Sequence, residues 1–373
     1  MPSKFTLVSN PGPHLFHLKY TVVDTLAPTA GRVAKVFLLL SGLLAFSLSV
    51  DARVSPDSVH SGSLYEPVHD TAILLALDRV YRGEYDTADS ILSALPSCPA
   101  RDYFRGLVRI NRYEDLGDTA ALFAAQAMWE RLDRASDTAA SAFLRDGNYP
   151  LYRGLSELQL SYVASMTGGR IRAARLGRKA VGLLRPLSDR AEAAAAIALY
   201  DYYKAALLKG VDWLPFVTAD KEGPLRRLEG AVPKSRYLGE ILRTSLLWIH
   251  YDAARYDAGT QPIQAFLARY PGNRAYRQML ADFRYRQGDL DSARRLHEAL
   301  LAEYEGLGRN YPFPAYLPLG YLSSVGNLAK IDATQKRRES LERHLATWYS
   351  PGYKGIMKWL PASLVREVDS LRK

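Results

Sequence analysis

The sequence predicts an all-α protein built as a row of paired helices, and three observations carry that expectation. Helical patterns alternate with short breaks from about residue 68 to residue 349, with no convincing strand run. Turn-forming residues recur 34 positions apart. The composition, 48% hydrophobic with 24 tyrosines, suits stacked amphipathic helices in which a tyrosine packs its ring and leaves its hydroxyl at the rim.

The first 52 residues stand apart. Val36–Val50 reads VFLLLSGLLAFSLSV, an uncharged stretch preceded by Arg32 and Lys35 and closed by Val50-Asp51-Ala52. A basic flank, a short apolar core and small or aliphatic residues before the break form a secretory signal, with cleavage expected after Ala52. The apolar run is shorter than the roughly twenty residues a spanning helix needs, so an uncleaved anchor is the alternative. The preceding stretch is long for a signal and rich in turn residues (Asn10-Pro11-Gly12-Pro13), which suggests initiation at Val33. The expected location is therefore exported, periplasmic or outer-membrane-associated in a bacterium. Residues 53–67 read as a polar linker, and 350–373 as a tail with a short helix.

Between linker and tail, helices are expected over 68–82, 86–95, 100–115, 118–134, 148–166, 169–185, 188–208, 221–231, 236–254, 257–270, 273–286, 289–305, 313–329 and 332–347. Short connections make sequential neighbours antiparallel, giving about seven pairs in an α-solenoid. The period shows most clearly where Ala254-Arg255-Tyr256-Asp257-Ala258-Gly259 is followed 34 residues later by Gly288-Asp289-Leu290-Asp291-Ser292-Ala293. Gly83-Glu84-Tyr85-Asp86-Thr87-Ala88 has the same form, and Gly117-Asp118 follows it by 34. Gly169-Arg170-Ile171-Arg172-Ala173-Ala174 fits the template with Pro186 twelve later, as Pro271 follows Gly259. Each position has a physical use. Glycine ends the first helix where a positive φ is needed, the aromatic or aliphatic residue two later fills the gap, the small residue allows close approach, and proline stops the pair. Leu122 breaks the pattern, standing where a small residue is expected.

This spacing resembles the tetratricopeptide repeat family over roughly residues 68–347, and 201–229 gives it the look of a divergent exported bacterial subgroup. The resemblance implies a superhelix whose first helices line a concave groove, and carries over no activity. A closed α/α toroid, as in some glycan-acting enzymes, is the other fold with paired helices.

Chemistry is hard to find in the residues. Gly306-Leu307-Gly308 lacks the third glycine of a phosphate loop, since position 311 is Tyr. Tyr200 and Lys204 have dehydrogenase-like spacing but no Rossmann strand and glycine loop. Ser370 and Lys373 match a serine-lysine motif at a chain end. His60, His69, His250, His297 and His344 are scattered, and no i, i+4 pair offers a metal site. Asp220 and Glu222 could be a glycosidase pair, but read more plainly as the capped, acidic start of a helix. The single cysteine, Cys98, excludes an intramolecular disulfide, and its proline neighbours point to a turn. Net charge is +10, of which Lys4, Lys19, Arg32 and Lys35 against Asp24 and Asp51 leave +2 in the first 52 residues. Spread along the chain, it reads as a solvated arginine-rich surface, with no recognised nucleic-acid module.

A binding surface is what remains. On the first helices of the pairs, Tyr152, Arg153, Tyr162, Tyr200, Tyr203, Lys204, Arg243, Trp248, Tyr251, Arg277 and Arg284 are the candidate groove residues, because exposed Tyr, Trp and Arg suit an extended peptide. Trp213-Leu214-Pro215-Phe216 reads as a hydrophobic cap beneath a loop. No catalytic, cofactor or metal residue is expected. The expected function is a non-enzymatic scaffold for a protein or peptide partner, with no nucleic acid and with membrane contact only if the apolar segment stays uncleaved. A glycan-acting enzyme on an α/α scaffold and a membrane-tethered assembly factor are the alternatives.

Overall fold

The computed structural model describes residues 67–135, 146–208, 220–308 and 319–372, apart from 168, 355, 356, 358, 359 and 361. The apolar segment, the Ala52 cleavage site, the linker up to residue 66 and the Trp213–Phe216 cap lie outside the described residues.

Among the described residues all regular structure is helical. The helices are α1 (Pro67–Tyr81), α2 (Tyr85–Ser93), α3 (Pro99–Leu116), α4 (Thr119–Arg134), α5 (Tyr149–Met166), α6 (Arg170–Leu184), α7 (Ala191–Leu208), α8 (Glu222–Ala231), α9 (Gly239–Asp252), α10 (Tyr256–Arg269), α11 (Arg274–Arg286), α12 (Leu290–Leu307), α13 (Leu319–Thr334), α14 (Arg338–Trp348) and α15 (Ala362–Ser370). They pack in consecutive pairs, α1 with α2 through α13 with α14, and α15 lies against α13.

Local sequence accounts for where the helices start and stop. The Asp118 carboxylate accepts the Ala121 N–H at 3.0 Å to open α4, and Asn273 does the same for Tyr276 in α11. Asp289 accepts from the Ser292 N–H at 3.1 Å to open α12. The Asp220 carboxylate takes the Glu222 and Gly223 N–H groups at 2.9 and 3.2 Å, but from one position ahead of the N-cap, where Lys221 holds the place expected of Asp220. Cys98 occupies the turn before α3, where its sulfur faces the Arg101 N–H at 3.5 Å, and burial pushes its thiol pKa up.

The 34-residue period has a backbone counterpart. Positive φ occurs at Gly83, Gly117, Ala254, Gly288 and Lys336. After Gly83, Ala254, Gly288 and Lys336 the next N–H reaches the carbonyl five residues back, which closes a Schellman turn. The segment at Gly169 differs from its expected register by one. Gly169 is itself the residue whose N–H reaches five back, to Ala164 at 2.8 Å. It therefore matches Glu84 and Asp289, not Gly83 and Gly288. Ala173, fully buried, fills the small-residue slot, and Ile171, expected to plug the helix gap, is 77% exposed.

The turn of the last pair is also displaced: the first helix runs through to Thr334 and the second spans Arg338–Trp348, instead of an end at 329 and a restart at 332. Lys336 lies 48 residues after Gly288, fourteen beyond the period, and no glycine marks the turn. The tail helix α15 belongs to the packed body: Leu364 and Val368 join Leu300, Tyr304, Leu322 and Trp348 in one buried cluster.

Close approach of neighbouring helices, between pairs or within one, falls where a side chain is missing. A Cβ on Gly259 of α10 would stand 2.2 Å from the Phe283 ring of α11. In the pair where Leu122 replaces a small residue, the gap is made on the other helix: a Cβ on Gly106 of α3 would meet the Trp129 indole of α4 at 2.4 Å. Leu122 and Trp129 are both buried as a result.

The row of pairs turns back on itself. The Tyr270 hydroxyl donates to Asp78 of α1 at 2.9 Å, and the Asn273 amide donates to the Tyr81 carbonyl at 2.8 Å. Tyr81 also packs edge-on against Phe266 of α10, 5.6 Å between ring centroids. Arg236 and Tyr237 reach Asp70 near the start of α1. Arg274 of α11 binds Asp115 of α3, and α13 packs against α3. Pairs five to seven thus rest on pairs one and two.

A hollow enclosed by the first helices

Because the row closes, its inner face encloses a hollow of about 370 Å³. Five of the first helices, α3, α5, α7, α9 and α11, each line it with one stripe, at the 3–4 residue spacing that puts side chains on a single face. From α3 come Leu107, Ile110, Asn111 and Glu114, and from α5 Leu158, Gln159 and Tyr162. Helix α7 supplies Leu199, Tyr200 and Tyr203, α9 supplies Ile241, Thr244, Ser245 and Trp248, and α11 supplies Arg274, Ala275 and Gln278. Tyr81, Tyr85 and Tyr304 fill the wall where the ends meet.

The polar chemistry of this wall is uneven. Burial pushes the phenols of Tyr85, Tyr162, Tyr203 and Tyr304 well above their ordinary pKa, so they are neutral donors. Tyr85 donates to Asp115 at 2.8 Å and Tyr162 to Glu114 at 2.6 Å. The Arg274 guanidinium binds Asp115 through Nε at 2.8 Å and Glu303 at 2.8 Å, and these carboxylates raise its pKa against the desolvation that would lower it. Glu114 has no such counterion. Burial raises its carboxyl pKa above the ordinary carboxylate value, and the hydrogen bond from Tyr162 offsets only part of that.

The expected groove residues divide in two. Tyr162, Tyr200, Tyr203 and Trp248 line the hollow. Tyr152 does not: at 3% exposure it packs against Tyr103 and Phe104, so it belongs to the core between helices. Tyr251 is wedged between Trp248, Tyr256 and Phe283 and accepts from Arg286 at 2.9 Å. The arginines are engaged with neighbouring acids, Arg153 with Asp133 at 3.2 Å, Arg243 with Glu240 at 3.2 Å and Arg277 with Glu303. Arg284 stands 3.9 Å from Asp289, and Lys204 is exposed away from the hollow. Helical periodicity marks which helices face inward but not which of their sides, and that is why only part of the set converges.

Glu114, Asn111, Gln159, Gln278 and Arg274 are hollow residues that sequence reasoning missed. A signal was present: on α3 the run 107, 110, 111, 114 has the same spacing as 241, 244, 245, 248 on α9. Attention to aromatic and basic residues passed over the amides and the acid.

Of the histidines, His297 is fully buried 3.9 Å from Asp282, and Nδ1 of His344 lies 2.7 Å from Asp332. Both are packed parts of the α11–α14 region, and no group of three potential metal ligands occurs among the described residues. No helix of the described residues is long and apolar enough to cross a membrane. Compared with known proteins, the sequence matches no family model and no curated protein.

Proposed function

We propose that this chain is a tetratricopeptide-like superhelix of seven helix pairs, of a divergent exported bacterial kind, that holds a segment of another protein inside the hollow of its concave face. The observation that carries the reading is the lining itself. Five first helices contribute one stripe each, and those stripes combine tyrosine, tryptophan, asparagine and glutamine with few charges. Aromatic faces take apolar side chains, while amides and phenols satisfy the main chain of an extended peptide.

A non-enzymatic role fits the carboxylates. Hydrolysis of a glycan would call for two acids across a cleft. The only acids lining the hollow among the described residues are Glu114 and Asp115, and Asp115 is committed to Arg274 and Tyr85. Placement in the cell envelope rests on the apolar segment before Ala52, and a periplasmic or outer-membrane-associated protein is the form we propose.

The test is affinity purification from the native envelope, with mass spectrometry, using the wild-type chain and a Ser245→Trp variant that fills the hollow. We expect a specific protein to be enriched by the first and lost with the second. Enrichment of cell-wall material without protein, or a partner equally retained by the variant, overturns the proposal.

A further inference from the structure

The hollow has a sign. Its charged lining is Glu114, Asp115 and Arg274, and the last two neutralise one another, so Glu114 is left as a carboxylate without a counterion in the described residues. It sits on the inner stripe of α3, exposed on the wall of the hollow. Its one polar contact shown is the Tyr162 hydroxyl at 2.6 Å, which orients one oxygen and leaves the other free. Tyr162 lies beside it on α5, and the hollow it opens on is lined by further aromatics, Tyr200 and Tyr203 on α7 and Trp248 on α9. The chain as a whole is strongly basic, so the interior is opposite in sign to the surface.

Because Glu114 is exposed to the hollow, an occupant that displaces its water strands the carboxylate unless it brings a cation of its own. Aromatic faces around an acid are the environment that a protonated amine on an apolar stem fits, with the ammonium at the carboxylate and the stem along the rings. We infer that the occupant of the hollow presents a protonated primary amine to Glu114, as the lysine side chain of an extended segment does. This rests on the proposed function for the hollow as the binding site and adds the chemical identity of what enters it.

The experiment titrates the full chain with a capped Ala-Lys-Ala peptide, its norleucine counterpart and butylamine, read by calorimetry and by tryptophan fluorescence. The variants are Glu114→Gln and Tyr162→Phe, with thermal melts to establish that each is folded. We expect the lysine peptide to bind at least about tenfold more tightly than the norleucine peptide, a charge-assisted contact being lost in the second. Glu114→Gln is expected to bring lysine binding down to the norleucine level without weakening norleucine binding. Tyr162→Phe is expected to weaken lysine binding by a smaller factor. Equal binding of the two peptides, in wild type and Glu114→Gln alike, overturns the amine inference and leaves the hollow as a peptide site. Binding of butylamine but neither peptide, dependent on Glu114, upholds the amine and overturns the protein segment as its bearer. Failure of all three probes overturns the inference, and the purification with Ser245→Trp then decides on the hollow separately.

Discussion

At the scale of single residues, backbone turns and one buried carboxylate make opposite demands on stability. Ala254 holds a φ of 55° at the place where Gly83, Gly117 and Gly288 stand in other pairs. A Cβ in the left-handed region costs roughly 1 kcal/mol, partly offset by the greater backbone freedom glycine has when unfolded. Gly288→Ala is therefore expected to lower stability by about 1 kcal/mol, and Ala254→Gly to leave it unchanged or slightly raised, by urea titration followed by circular dichroism. Glu157 is fully buried on α5, where Lys179 approaches at 2.5 Å and Asp133 of α4 competes for the same ammonium at 2.6 Å. Burial first, then the neighbouring Asp133, raises the Glu157 carboxyl from an ordinary 4.5 to about 7. Between those values the unfolded chain has released this proton while the folded chain keeps it, so the contribution of Glu157 to stability falls as pH rises through that window. Glu157→Gln is expected to flatten the loss. The variant should melt higher than wild type at pH 8 and close to it at pH 4. A melting difference independent of pH would rule out titration of this group as the cause.

At the scale of the helices, what was legible in the sequence was what local chemistry decides. Helix bounds in the segments opened by Asp118, Asp220, Asn273 and Asp289 agree with the structure to within about two residues, because the side chains that take the first free N–H groups are local. The places that escaped are those where long-range packing chooses between local equals. At Gly169 the register is one residue off because its own N–H closes the turn onto Ala164, which residue type does not announce. Lys336 takes a positive φ that no residue preference announces. The hollow was legible in outline, since the alternation of helices assigns the inward ones, and Tyr200, Tyr203 and Trp248 lie on them. Tyr152 escaped because an aromatic at helical spacing looks the same whether it faces a void or a neighbour. Interhelical distance gives a direct test. A side chain added at Gly259 must displace the Phe283 ring, and overpacking of this kind costs about 1–3 kcal/mol, which is the loss expected for Gly259→Val. A Cβ on Gly230 of α8 would meet nothing within 4 Å, so Gly230→Ala is expected to gain a few tenths to about 1 kcal/mol through helix propensity. If both substitutions changed stability equally, packing would not be what reserves Gly259.

At the scale of the whole molecule, closure is the property that makes a hollow out of a curved face, and it depends on a small seam. An open row of repeats has only nearest-neighbour interfaces and unravels from its ends. Here Asp115, on the second pair, is tied to Arg274 on the sixth and receives the Tyr85 hydroxyl. Arg274 also binds Glu303, so a buried arginine bridges elements 159 and 29 residues away. Both partners of the Asp115–Arg274 pair are nearly inaccessible, at 8% and 11% side-chain exposure, so screening by salt should do little to weaken it. Removing one member of a buried pair strands the other, a loss of about 3–5 kcal/mol. Asp115→Ala is therefore expected to cost close to that amount. The form of the loss is more diagnostic than its size. With the seam intact, the first and last pairs should exchange amide hydrogens as slowly as the middle ones, because opening either end breaks contacts across the ring. With the seam cut, α1, α2 and the helices from α11 onward should gain exchange ahead of α5 and α6, and the urea transition should broaden. Hydrogen exchange with mass spectrometry reads this directly. Uniform acceleration along the chain would mean that Asp115 supports its own pair alone, and that the ring is held shut by the Asp70, Asp78 and Tyr81 contacts instead.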